Sequence, residues 1–297
     1  MSAPVASEHF EDFLTRHNLG SSPTIEAERH VVHWSSEAIV IVQSEHARLT
    51  DAEFMKWPGV GFVLHLLQRA FEHLEAAIVA FVTGSGTSSE CLSRATVELA
   101  ISIEYVLAGH PETRLFAFFD HYLNGEQGRL RNWLRASAEC SEPERSVHAR
   151  EIEHRRSAIT ALSDLLGRLR QELVTCGVRL GSEEWPKIVT RFEAVGEALS
   201  YRTFYGRMSS QVHSDAEETI RFFVARVGAD ERIRERMAME TVWFSRLMLY
   251  FAVQRFLAAT SAYGRYYGMS EAVTALNRGE RILEEELQRV AAVVASA

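Results

Sequence analysis

Apolar residues recur along most of this chain at intervals of three and four, the spacing that places them on one face of an α-helix. A clear example is the set Leu92, Leu99, Ile103 and Leu107, which predicts one buried helix face. Alternation of apolar and polar positions, the pattern of a half-buried strand, is almost absent. The pattern therefore predicts an all-α fold, an antiparallel helical bundle with short connections.

The periodicity, together with turn and cap residues, predicts where the helices begin and end. Helices are expected over residues 25–49, 60–82, 87–107, 112–123, 127–138, 143–175, from 182 onward, and over 197–212, 214–227, 230–266 and 270–296. Thr87-x-x-Glu90 is expected to be a capping box. We predict a single domain over residues 1–297. Its bundle core lies at about 60–227, and the N-terminal helix 25–49 and the C-terminal helices 230–296 pack on that core.

The most apolar stretch, residues 241–263, contains Arg246 and Arg255, which are costly to place in lipid. It therefore predicts a buried central helix or an oligomer contact, and no membrane partner. The N-terminus lacks the basic and apolar regions of a signal peptide. The cysteines, Cys91, Cys140 and Cys176, are odd in number and have no metal or redox spacing. They are typical of a reducing compartment, so a cytoplasmic location is expected.

Net charge and motif spacing exclude several classes of function. The formal net charge of −8 argues against a broad basic surface, so no DNA partner is expected. His148, Glu151 and His154 contain one Glu-x-x-His, but a di-iron bundle needs two such motifs and further glutamates. The glycine-containing loop at residues 84–87 has no lysine, unlike a phosphate-binding loop. Neither a metal nor a cofactor is expected.

The polar segment 201–214 is the main candidate for chemistry. Tyr205, Ser209 and His213 are four residues apart and share one helix face. A capping box at Ser214 predicts a new helix, which places His213 at a joint. His213 is then a general base or acid, with Arg207 or Arg202 stabilising negative charge. Alternatively, it is a buried histidine whose hydrogen bonds are satisfied by Tyr205 or Ser209.

Arg94 and Glu98 form an i, i+4 pair on the third predicted helix, and Ser102 and Tyr105 continue the polar stripe. As an exposed pair, they would contribute only a few tenths of a kcal/mol. If the stripe instead faces the joint, Glu98 could orient the imidazole of His213 and Arg94 could hold an anion. The spacing alone favours the exposed pair. However, both stripes are polar on helices whose other faces are apolar, and this predicts that Arg94 and Glu98 approach the face that carries Tyr205 and His213.

These residues carry a resemblance to one bacterial family. The order is Arg94-x-x-x-Glu98, then Arg114 with the aromatic run Phe116–Tyr122, Trp133, and Tyr201-x-x-x-Tyr205-x-x-x-Ser209-x-x-x-His213. Over Phe62 to Ala225 the chain resembles the helical family called "domain of unknown function 5677". Many members have proline after the histidine, where this chain has Ser214.

That family is similar in turn to the HEPN superfamily, which includes metal-independent endoribonucleases whose active site is an Arg-x(4–6)-His motif, usually paired across a dimer. Arg207 and His213 satisfy this spacing, and so do Arg114 and His121. The resemblance implies a HEPN-like core, an RNA substrate, a homodimer, and a role in phage defence or stress response. His213 would then transfer protons and Arg207 would stabilise the phosphorane. The supporting residues would be Tyr205, Ser209, Glu98, Arg94 and Arg202.

The alternative is a non-catalytic helical module that recognises a small anion, a nucleotide or a partner protein with the same polar pocket. The acidic pI of about 5.9 and the lack of a basic stripe favour this alternative.

Overall fold

The structure is a computed structural model that describes residues 7–50, 60–206, 223 and 231–296. Among these residues the secondary structure is helical, with no strand, which confirms the all-α prediction. In chain order the helices are α1 (Ser7–Arg16), α2 (Pro23–Ala27), α3 (Arg29–His46), α4 (Val60–Val82), α5 (Gly86–Leu107), α6 (Pro111–Ser137), α7 (Glu142–Thr175), α8 (Ile188–Ala194), α9 (Ala198–Ser200), the π-helix π1 (Tyr201–Tyr205), α10 (Glu231–Tyr266) and α11 (Ser270–Ser296).

The chain forms two compact units. The first comprises the described residues up to Ala108 and from Ile188 onward, and the second is Gly109–Lys187. The sequence-based expectation of a single domain with its core at 60–227 stays a prediction.

Helix α10 lies at the centre of the first unit and packs against α3, α4, α5 and α11. Its fully or almost fully buried side chains include Met248, Leu249, Tyr250, Phe251, Phe256 and Leu257. Burying each large apolar side chain contributes roughly 1.5–3 kcal/mol, so this helix supplies much of the hydrophobic stabilisation. Central burial was one of the two alternatives predicted for residues 241–263. No helix in the described ranges is long and apolar enough to cross a membrane.

Helix α1 was not predicted from the sequence. Phe10 and Phe13, three residues apart, point into the first unit and are almost completely buried. The acidic residues around them occupy the outer face. The helix packs on α3, where His9 also pairs with Glu37 at 2.7 Å.

The second unit is built on α6 and α7, which form an antiparallel hairpin. Its core residues recur every seven positions on both helices: Phe116, Leu123 and Leu130 on α6, and Ile152, Ile159 and Leu166 on α7. Contacts between α6 and α7 show that the two helices run in opposite directions. Asp120, early in α6, contacts Arg170, late in α7, at 2.8 Å, and Trp133, late in α6, stacks edge-on with His148, early in α7. Helix α7 begins with a capping box at Ser141.

Several predicted boundaries are wrong. Helix α6 is continuous where two helices were expected, although Gly125 and Gly128 lie in its middle. Between them Glu126 is buried and bonds Arg129 and Arg155, which offsets the low helix propensity of glycine. No helix begins at residue 182.

The predicted N-terminal helix 25–49 is divided into α2 and α3 at Glu28, whose carboxylate pairs with Arg246 at 2.8 Å. The predicted capping box at Thr87 is also wrong. Ser85 is the N-cap of α5, and Glu90 is buried and accepts a hydrogen bond from Ser245 instead.

Candidate functional site

The candidate site lies in the first unit and begins with one face of α5. Arg94, Glu98 and Ser102 are successive i, i+4 neighbours on that face. The side chain of Arg94 is 18% exposed and that of Glu98 is 41% exposed, whereas Ser102 is buried. The Ser102 hydroxyl donates to the main-chain carbonyl of Glu98 at 2.5 Å. This face is therefore buried at one end and open to solvent at Glu98.

The π-helix π1 supplies the tyrosine that meets this face. Its widened turn is closed by a hydrogen bond from the Gly206 amide to the Tyr201 carbonyl. The rings of Tyr201 and Tyr205 stack with their centroids 5.5 Å apart, and Phe192 of α8 packs against both. Single π-turns are rare and occur frequently at functional sites.

Three side chains form one hydrogen-bonded network, which we call the Tyr205 cluster: Arg94, Glu98 and Tyr205. The Tyr205 hydroxyl donates to Oε1 of Glu98, and Nε of Arg94 donates to the same oxygen at 3.0 Å. Nη2 of Arg94 lies 3.3 Å from the Tyr205 hydroxyl oxygen, and the guanidinium is 5.2 Å from the ring centroid. These hydrogen bonds hold π1, the segment just before Arg207 in the sequence, against α5.

Arg191 of α8 adds a second guanidinium beside the Tyr205 cluster. Its Nη1 donates to the hydroxyl of Ser102. Burial lowers the pKa of Arg191, against the raising effects of Glu98, Tyr205 and Tyr105. Arginine nevertheless stays protonated in proteins. A buried positive charge thus lies one helix turn below Glu98.

Two guanidiniums, those of Arg94 and Arg191, interact with the carboxylate of Glu98. Burial and the neighbouring Glu98 raise the pKa of Tyr205, so its hydroxyl keeps its proton and acts as a donor. Because Glu98 is partly exposed, the network is open to solvent at this carboxylate.

The structure brings together three of the predicted site residues, Arg94, Glu98 and Tyr205. Arg202 is exposed, and its guanidinium lies 5.6 Å from the ring centroid of Tyr201, outside the network. Arg207, Ser209 and His213 lie outside the described residues, so their placement stays a prediction. The roles assigned to all seven residues stay predictions as well.

Arg191 was missed by the sequence analysis. It lies in a seven-residue helix that the periodicity did not separate from its surroundings, and arginine is common throughout the chain. Nothing in the sequence distinguishes it from an exposed arginine. Among the residues that the structure describes, no three His, Cys, Asp or Glu side chains form a group that could hold a metal ion.

Together these features define an all-helical protein with a partly open polar cluster of arginine, glutamate and tyrosine at a π-turn. Its family is shown by a family model, described as "Family of unknown function (DUF5677)", that matches residues 61–230. The chain belongs to this family, and the matched range contains the Tyr205 cluster and the segment with Arg207 and His213. No curated protein and no solved structure matches the chain.

Proposed function

We propose that this protein is a cytoplasmic, metal-independent endoribonuclease with a HEPN-like core, in which Arg207 and His213 form the reactive pair. The observation that carries the proposal is the anchoring of Tyr205. This residue lies two positions before Arg207 and is hydrogen-bonded to both Arg94 and Glu98. In the sequence, the reactive pair would thus directly follow a segment that is hydrogen-bonded to α5.

The proposed reaction is attack of an RNA 2′-hydroxyl on the adjacent phosphorus. A new P–O2′ bond forms as the P–O5′ bond breaks, which leaves a 2′,3′-cyclic phosphate and a 5′-hydroxyl. One proton leaves the 2′-oxygen and another is delivered to the 5′-oxygen, so a base and an acid are needed. His213 from each of two copies would supply them, which is why we propose a homodimer.

The arginines would stabilise the phosphorane, in which negative charge develops on the non-bridging oxygens. Arg207 would contact those oxygens, and Arg94 and Arg191 would add positive electrostatic potential without touching them. Glu98 would orient the imidazole of His213 through a hydrogen bond, the role that a carboxylate often has beside a catalytic histidine. The family resemblance further suggests a role in phage defence or stress response.

The test is incubation of the purified chain with total RNA and with single tRNAs, each with and without a chelator. We expect cleavage that leaves cyclic phosphate ends and does not depend on the chelator. His213→Ala should abolish cleavage, because loss of a general acid–base costs ~10²–10⁴ in rate. His121→Ala is the matched control, since Arg114 and His121 have the same kind of spacing in the second unit and His121 is exposed.

An RNA pool left intact by the wild-type protein would contradict the proposal. So would a His213→Ala variant that cleaves as fast as the wild type.

A second candidate function is non-catalytic binding of an anion. It is favoured by the two guanidiniums in and beside the Tyr205 cluster, those of Arg94 and Arg191, because such groups can hold a phosphate or a nucleotide without any reaction. In that case the wild type and His213→Ala would bind a nucleoside monophosphate equally and cleave nothing. Arg94→Gln would weaken this binding.

A further inference from the structure

A cavity in the first unit lies where α5, α8 and α10 end. Its volume is about 470 Å³, within the range of small-molecule sites. The residues that line it are Glu104, Leu107, Ala108, Ala194, Val195, Ala262, Arg265 and Tyr266. Six of these eight residues are apolar or aromatic, and the two charged residues have opposite signs. Such a cavity can take a small ligand with an apolar body and one polar end.

Glu104 is the unusual member of this wall. Its side chain is only 13% exposed, and its Oε1 is buried without a hydrogen-bond donor among the described residues. The nearest positive group is Arg255, at 3.8 Å, but that guanidinium pairs much more closely with Glu197, at 2.6 Å. A buried carboxylate oxygen without a donor is unfavourable, so a ligand that donates to it would be favoured.

The charges near Glu104 do not balance. Among the described residues, Glu104 interacts with the carboxylates of Glu197 and Glu280 and with the guanidiniums of Arg255 and Arg265, and Glu280 also interacts with Glu284. With every group ionised, the carboxylates outnumber the guanidiniums by two. Burial raises the pKa of Glu104 to about 7, against the lowering effect of Arg255. The local imbalance therefore disfavours an anion and favours one added cation.

We propose that this cavity binds a small primary monoamine, with the ammonium group on Glu104 and the apolar body against Leu107, Val195 and Ala262. An ammonium group has three donors and can complete the hydrogen bonding of the Glu104 carboxylate. Glu104 lines the cavity, so its carboxylate is the acidic group that the ammonium of a bound amine would meet. This site is separate from the Tyr205 cluster, and its chemistry does not depend on RNA cleavage.

Arg265 limits the kind of amine that fits. It is exposed and lines the same cavity, so a second ammonium group on the ligand would meet a guanidinium. Like charges at short range repel each other. A monoamine should therefore bind more tightly than a diamine of the same length.

The experiment is isothermal titration of the full chain with three probes: isopentylamine, isopentanol and 1,5-diaminopentane. We expect binding of isopentylamine to be at least tenfold tighter than that of either other probe. Glu104→Gln should weaken the binding of isopentylamine at least tenfold. Glu193→Gln is the control, because Glu193 is an exposed carboxylate next to the cavity-lining Ala194 and should leave binding unchanged.

A second variant, Ala262→Leu, fills the cavity without changing a charge and should abolish binding of isopentylamine. Circular dichroism establishes that each variant is folded. The proposal is wrong if isopentylamine produces no binding signal with the wild type, if isopentanol binds equally well, or if a folded Glu104→Gln or Ala262→Leu variant binds like the wild type.

Discussion

The first unit contains two groups of the same composition, each with one glutamate, one arginine and one tyrosine. One is the Tyr205 cluster. The other, which we call the Glu28 trio, consists of Glu28, Arg246 and Tyr250. In both, the guanidinium pairs with the carboxylate, at 3.0 Å in the cluster and 2.8 Å in the trio. The guanidinium carbon also lies near the tyrosine ring in both, at 5.2 and 5.7 Å from the centroid.

The two groups differ in burial. The side chain of Glu28 is 2% exposed, whereas that of Glu98 is 41% exposed. Burial raises the pKa of Glu28 to about 7, although Arg246 and Tyr250 act to lower it. The Glu28 trio is closed and joins the start of α3 to α10, so it holds the fold together. The Tyr205 cluster is open, so the same side chains are available to a ligand.

The largest expected effect on stability is that of Glu28→Ala. This change leaves Arg246 in a mostly buried position without its carboxylate, and removing one partner of a buried pair costs about 3–5 kcal/mol. Urea denaturation should show a loss of about 3 kcal/mol in the free energy of unfolding. A loss below about 1 kcal/mol would contradict the assignment of the trio to stability.

The pKa of Glu28 also predicts a pH dependence. The folded state keeps a proton on Glu28 up to about pH 7, whereas the unfolded chain loses it near pH 4.5. Ionisation therefore favours the unfolded state, and the contribution of Glu28 to stability should fall by about 3 kcal/mol between pH 4.5 and pH 7.

The measurement is the difference in unfolding free energy between the wild type and Glu28→Gln at several pH values. As the pH rises from 4.5 to 7, the wild type should lose stability relative to Glu28→Gln. Above pH 7 the difference should stay constant. A difference that does not change with pH would show that Glu28 is ionised throughout.

Tyr205→Phe should have a smaller effect. It removes the hydroxyl that donates to Glu98, and one hydrogen bond contributes about 1 kcal/mol net. Thermal or urea unfolding should show this loss. The control is Tyr201→Phe, because the ring of Tyr201 stacks on that of Tyr205, and this change should have less effect. Equal losses for both variants would mean that the ring stack, and not the hydroxyl network, fixes the segment.

Much of the fold could be predicted because long apolar stripes determine it. The bounds of helices α4, α10 and α11 lie within one residue of the predicted ranges. The contact of Arg94 and Glu98 with Tyr205 was predicted from polar stripes on otherwise apolar helices. The π-turn, the break at Glu28 and the position of Arg191 depend on side chains that are distant in the sequence, so local pattern could not predict them. The continuous α6 depends in the same way on Arg155 from the opposite helix.

Arg202→Gln should have the smallest effect. Its side chain is exposed and its only contact among the described residues is with the ring of Tyr201, at 5.6 Å. An exposed cation–π contact contributes about 0.5–1 kcal/mol, so stability should fall by no more than that. Denaturation of this variant against the wild type checks the value. A larger loss would indicate that Arg202 belongs to the cluster.

The central claim is that the open Tyr205 cluster acts on a ligand, whereas the closed Glu28 trio stabilises the fold. The most direct test is the initial rate of tRNA cleavage by Glu98→Gln and by Glu28→Gln, at a temperature where both variants are folded. We predict that Glu98→Gln lowers the rate at least tenfold and that Glu28→Gln leaves it unchanged. Equal rates for Glu98→Gln and the wild type, or no cleavage by the wild type at all, would contradict the account.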